Sequence, residues 1–173
     1  VVQDSGDNIH VAWYQKANIG PLGRAAPDII LQDQKSANTA GGSSTGGGSA
    51  VRTLNTEVRD LNSECSLSSN QMTLTAGTYY AEATAPCFAC GRTRLYLWNV
   101  TDSSLVLSGS SEYANSGGNF STVVRLAGVF TIAAGKAISL LHYAEVTQGS
   151  GFGLAANDTR TEIYAEVRLW RVS

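Results

Sequence analysis

Few side chains in this chain have types and spacing that could do chemistry. Cys87 and Cys90 stand three apart, as metal ligands often do, but a zinc site normally needs a second ligand pair. Only Cys65 remains, with no histidine near it in sequence. Free or partly buried thiols in a loop are therefore expected, ahead of a Cys87–Cys90 disulfide or a metal. The two histidines are His10 and His142. His142 alternates onto one apolar face with Ile138, Leu140 and Ala144, which predicts a satisfied core histidine rather than a general base. Acidic residues such as Asp158 and Glu162 are too scattered to form a glycosidase pair. The glycine-rich run from Ala40 to Ser49 lacks the Gly-Lys-Ser/Thr ending of a phosphate loop and opens no helix. The sequons at Asn99, Asn119 and Asn157 are of a kind that chance produces often. No catalytic residue, metal or cofactor is expected, and no enzyme.

Composition points the same way. Of 173 residues, 12 are basic and 14 acidic, a net charge of -2 with no basic stripe, which argues against a nucleic-acid partner. Charged residues make up 15%, against roughly 25% in an average soluble domain. Such a surface is expected to be covered in part by self-association. No apolar run reaches the ~20 residues of a membrane span, so no membrane insertion is expected. The first residues lack the pattern of a signal peptide, and the chain reads as soluble and reduced when made. Without a leading Met, the numbering is expected to start after processing or at the first ordered residue.

The elements that must position these residues are strands. Residues 1–27 keep no helical or strand period for long, and the apolar Ile9, Val11, Trp13, Tyr14, Ile19 and Leu22 lie among polar residues, Gly and Pro. This segment reads as an arm that becomes ordered on a partner, or as a disordered tail. Strands are expected at 28–35, 51–58, 71–75, 78–85, 92–100, 105–111, 120–132, 137–146 and 161–172. Gln71 to Tyr80 reads as a hairpin turning at Ala76-Gly77, and Ala40 to Ser49 as a mobile loop. Strands at this spacing without a helix predict an all-β sandwich or barrel.

Two strands look apolar on both faces. In the last, Glu162, Tyr164, Glu166, Arg168 and Trp170 alternate with Ile163, Ala165, Val167 and Leu169. In 120–132, Val123, Arg125, Ala127 and Val129 alternate with Phe120, Val124, Leu126, Phe130 and Ile132. One face would line the sandwich core and the other a subunit interface; covering by loops is the bland alternative.

The segments Val51 to Thr56, Leu67 to Tyr79, Ala83 to Pro86, Arg94 to Ser103, Gly109 to Tyr113, Gly151 to Gly153 and Ile163 to Trp170 together resemble a module of tailed-bacteriophage virion proteins. The resemblance covers roughly residues 28–172. It implies an all-β jelly-roll β-sandwich like that of complement C1q and tumour necrosis factor, forming a tight homotrimer. It also implies a place on the virion surface, after synthesis in the host cytoplasm. The role would be a capsid decoration or cement protein, or a fibre-tip knob for host attachment. The chain departs from the usual fibre in having no shaft, and in carrying Cys87 and Cys90 where relatives commonly carry other residue types.

The expected domains are a docking arm, 1–27, and a jelly roll, 28–173. The expected trimer interface comprises Tyr80 (or Tyr79), Val123, Arg125, Val129, Tyr164 and Trp170. Ile9, Val11, Trp13, Tyr14, Ile19 and Leu22 would dock the arm on another virion protein, of capsid or tail. The loops 40–49, 115–119 and 149–153 would face outward, and a host-surface glycan or protein is a further expected partner. The reading from another class is a cellular C1q-like or carbohydrate-binding module.

Overall fold

The computed structural model describes residues 26–133 and 135–173, together with the backbone of two short paired strands, β1 (Val2–Gln3) and β2 (Ile9–His10). The other strands are β3 (Ile29–Lys35), β4 (Gly48–Val51), β5 (Thr56–Asp60), β6 (Cys65–Ser68), β7 (Gln71–Leu74), β8 (Gly77–Phe88) and β9 (Gly91–Asn99). They continue with β10 (Ser104–Ser108), β11 (Glu112–Ala114), β12 (Ser121–Ile132), β13 (Lys136–Ala144) and β14 (Glu162–Arg171). No helix forms among the described residues.

Two antiparallel sheets face each other. One runs β12-β8-β14-β3-β5, the other β10-β9-β13-β7-β6, with β11 pairing β9. β4 lies against the second half of β13, where Gly47 N–H donates to Ala144 O (2.9 Å) and Arg52 N–H to Leu140 O (2.8 Å). The strict alternation of β8 and β9 explains the sandwich. Tyr79, Ala81, Ala83, Ala85 and Cys87 of β8 point inward, as do Leu95 and Leu97 of β9, all at most 1% exposed. Ile29, Leu31, Val124, Val167 and Leu169 meet Met72, Leu74, Ile138 and Leu140 in the same core. Each fully buried side chain of this size contributes roughly 1.5–3 kcal/mol.

Several sequence expectations are corrected. The strand expected at 51–58 is two strands, β4 and β5, because Arg52 and Leu54 between them turn inward and are buried. The hairpin expected across Ala76-Gly77 does not form: β7 and β8 lie in different sheets, so the Gly marks a corner between layers. The hairpin is β6–β7, whose two-residue turn Ser69-Asn70 has φ of 51° and 62°, as a type I′ turn requires. β8 and β9 also belong to different sheets, and a Cys87–Cys90 disulfide (Cα–Cα 6.0 Å) spans the corner where free thiols were expected.

The glycine-rich run, expected as a free loop, is tied down by hydrogen bonds. Gly41 N–H donates to Gly153 O, Ser44 N–H to Gln148 O and Ser44 Oγ to Val146 O, each at 2.9 Å. Ser44, Gly151, Phe152 and Gly153 are buried, so 40–49 and 149–153 clasp each other rather than both facing outward. Gly41 is required there: a Cβ would collide with the Phe152 backbone.

Candidate functional site

Register lays out the outward face of the five-stranded sheet in rows. At one end Val129, Tyr80 and Trp170 stand side by side on β12, β8 and β14. The next row is Ala127, Glu82, Arg168 and Ile30, and the next Arg125, Thr84, Glu166 and Gln32. Val123 and Pro86 close the far end. Apolar rows thus bracket a charged band. The Tyr80 and Trp170 rings pack at 5.6 Å, and Tyr80 Oη donates to Glu82 Oε1 (3.0 Å). Within the band, Arg168 Nη2 pairs with Glu166 Oε1 (2.5 Å) and Gln32 Nε2 donates to Glu166 Oε2 (2.5 Å). Arg125 makes no ion pair among the described residues. A hollow of about 240 Å³ opens between Glu82, Thr84, Arg125, Glu166 and Arg168. Two carboxylates and two guanidiniums balance, so the face suits neither polyanions nor polycations. The two edge strands also carry exposed valines, Val123 (49% exposed) and Val129 (59%) on β12 and Val58 (50%) among the polar residues of β5.

The structure therefore brings Tyr80, Val123, Arg125, Val129 and Trp170 onto one face. Tyr79 points the other way, buried against Phe130 at 5.8 Å. Tyr164 does not join them. A register shift between Ile163 and Glu166 breaks the alternation, so Tyr164 is buried and its hydroxyl donates to Thr39 O (2.7 Å), while Ile163 turns outward. Of the expected docking residues, Ile9 lies in β2; its side chain, and Val11, Trp13, Tyr14, Ile19 and Leu22, lie outside the described residues.

Titratable chemistry is sealed between the sheets. Asp33, Arg52 and His142 are each fully buried. Arg52 Nη2 stands 4.0 Å from Asp33 Oδ2 and donates to Phe152 O (3.1 Å), with its guanidinium 4.3 Å from the Phe152 ring centroid. His142 stacks on the other partner of that ring contact, Phe152, at 5.2 Å, and its Nε2 meets Thr93 Oγ1 at 2.7 Å. Nδ1 has no partner among the described residues, so the histidine is in the core, as expected, but only half satisfied there. Burial, and then the charge of Arg52, push its pKa down to about 3. A histidine that stays neutral and dry is a packing element. The Cys65 thiol is pushed up to about 12 by burial and by Asp60 and Glu57, away from nucleophilic use. No group of three or more His, Cys, Asp or Glu among the described residues is arranged to hold a metal ion. Sequence reasoning missed Asp33 and Arg52. The signal was parity: Asp33 follows Ile29 and Leu31 at two-residue steps onto the core face.

No family model matches the chain, and no curated protein matches it in sequence. Among solved structures it is similar to the globular domain of zebrafish complement 1qA protein, with a TM-score of 0.55 and 16% identity over 84% of this chain and 98% of that one. That likeness shows the fold: an all-β sandwich of the C1q kind.

Proposed function

We propose that the chain is a non-enzymatic structural and recognition module that works as a homotrimer, closed through the outward face of the five-stranded sheet. The observation that carries this reading is the face itself: aromatic and aliphatic rows bracket a charge-balanced band, with exposed valines on the edge strands β12 and β5. A contact that sets one edge of a copy against the face or opposite edge of the next is heterologous, and it closes into a three-membered ring when the rotation between copies is a third of a turn. The fold supports the reading, being of the C1q kind. So does the burial of His142, which leaves no accessible imidazole among the described side chains.

For its place, the reading is the surface of a bacteriophage particle, as a capsid decoration or cement trimer or as a fibre-tip knob. Residues 1–27 serve as the arm that docks on a capsid or tail protein. The support is the resemblance of the segments from Val51 to Trp170 to tailed-phage virion proteins. Deleting residues 1–24 tests the arm: the truncated protein is expected to remain a folded trimer and to stop joining particles. Truncated protein that decorates particles at full occupancy would refute docking through the arm. The second reading is a cellular C1q-like or carbohydrate-binding module, favoured by the likeness to the complement domain, nearly all of which the alignment covers. A chain that binds no virion protein but binds cell-surface ligands would favour it.

A further inference from the structure

The opposite face of the molecule, on the six-stranded sheet, carries a second arrangement, which the proposed assembly leaves open. Along β9 the residues Arg94, Tyr96 and Trp98 point outward while Leu95 and Leu97 point to the core. Register sets Leu141 beside Tyr96, Tyr143 beside Arg94 and Leu105 beside Trp98. Tyr96 sits at the meeting of two shallow grooves, one of about 230 Å³ toward Arg94, Glu112 and Tyr143, and one of about 260 Å³ toward Trp98, Leu105 and Leu141. At ~30 Å³ per water, each has the volume of roughly eight waters, room for one small ring.

The side chains differ from the aromatic residues that hold the fold. Tyr79, Tyr80 and Tyr164 each spend the hydroxyl on a partner within the chain. Tyr96 and Tyr143 make no side-chain hydrogen bond among the described residues, and the ring contacts there (Tyr79–Phe130, Tyr80–Trp170, His142–Phe152) include none of Tyr96, Trp98 and Tyr143. Half-buried rings held on a rigid sheet, with faces and hydroxyls unspent, give apolar contact at little entropic cost. Around them stand a donor-only guanidinium, Arg94, braced by Ser111 Oγ, and an acceptor-only carboxylate, Glu112. Arg92, which also lines this groove, is paired with Glu145, so the charges around it offset and the site favours no net charge. An apolar ring face ringed by hydroxyls that both donate and accept is the matching shape: a pyranose.

We infer that the outward face of β9 and β13, centred on Tyr96, is a glycan-binding site that takes a neutral sugar ring. The inference rests on the reading of the chain as a recognition module and names its ligand class. Three copies in a trimer would present three such sites, so weak single contacts add up on a polyvalent surface.

The test uses the full chain and four polymers carrying glucose, galactose, mannose or N-acetylglucosamine, with the sugar-free polymer as control. Binding is read by surface plasmon resonance, and the mass of the same samples by sedimentation. At least one sugar polymer is expected to bind, in competition with the free sugar. Tyr96→Ala and the milder Arg94→Gln should each weaken binding by about tenfold or more, a loss of ~1.4 kcal/mol. Leu61→Ser, at an exposed apolar residue (58%) beyond β5, should leave binding unchanged. Binding to none of the four, equal binding to the bare polymer, or full binding by folded Arg94→Gln would overturn the inference. A trimer that binds no sugar defeats this inference alone; a sugar-binding monomer defeats the assembly reading and leaves the site standing.

Discussion

Replacing His142 with Phe should flatten the acid sensitivity of the fold. His142 is fully buried, stacked on Phe152 and bonded through Nε2 to Thr93. Among the charged groups, the buried Arg52 lowers its pKa further, and Arg52 is itself paired at 4.0 Å with Asp33. The folded pKa is about 3, while an unfolded histidine titrates near 6.5. Below pH 6.5 the unfolded chain therefore takes up a proton that the folded chain refuses. Stability is fully present above pH 6.5 and is lost as pH falls toward 3. Linkage with these two values gives a loss of roughly 3 kcal/mol between pH 7 and pH 4, or about 6–12 °C in melting temperature for a domain of this size. The aromatic replacement keeps the stack on Phe152 and gives up one hydrogen bond, about 1 kcal/mol at pH 7. Thr93 Oγ1 still donates to Tyr143 O at 2.9 Å, which limits that loss. Other carboxylates titrate in the same window in both proteins, so the quantity to measure is the difference between their melting temperatures at pH 7 and at pH 4. The variant is expected to start slightly lower and to cross above wild type on acidification. Parallel pH profiles would refute the assignment of acid sensitivity to His142.

Two further outcomes follow from the packing. Reducing the Cys87–Cys90 disulfide, which closes a short loop, should cost roughly 2 kcal/mol, about 4–8 °C by thermal denaturation, while chelators should leave the melting temperature unchanged. Gly41→Val should destabilise by about 1–3 kcal/mol in urea titration, because its Cβ enters the backbone of Phe152, whereas Gly48→Ala, with open space around it, should stay within about 0.5 kcal/mol of wild type.

The sheet architecture was legible wherever alternation ran unbroken. β9 and β12 follow it from end to end, and the face holding Val129 and Trp170 was readable from parity, with the choice between Tyr80 and Tyr79 left to the register. Tyr164 was misplaced because one register shift in β14 reverses parity, and nothing in Ile163-Tyr164-Ala165 announces a bulge. The corner at Ala76-Gly77 misled for a related reason: a tight turn and a crossing between layers use the same residue types. The clasp between 40–49 and 149–153 joins segments about a hundred residues apart through backbone groups and the hydroxyls of Ser43 and Ser44, which leave no distinctive mark on composition. Glycine there signals close approach of two backbones, not freedom. The Tyr96 face was visible in principle, since Arg94, Tyr96 and Trp98 share parity, but an outward aromatic row looks the same whether it meets a subunit, a ligand or water.

The central claim is that the five-stranded sheet meets other copies of this chain. The direct measurement is the mass of the full chain by light scattering at micromolar concentration, beside a Trp170→Glu variant. Trp170 stacks with Tyr80 in the outermost apolar row, and burying an aromatic of this size contributes ~1.5–3 kcal/mol per subunit. The account predicts three times the 18.2 kDa chain mass for wild type and a shift to single chains for the variant. A wild-type protein that is monomeric at micromolar concentration, or a Trp170→Glu trimer as stable as wild type, would contradict it.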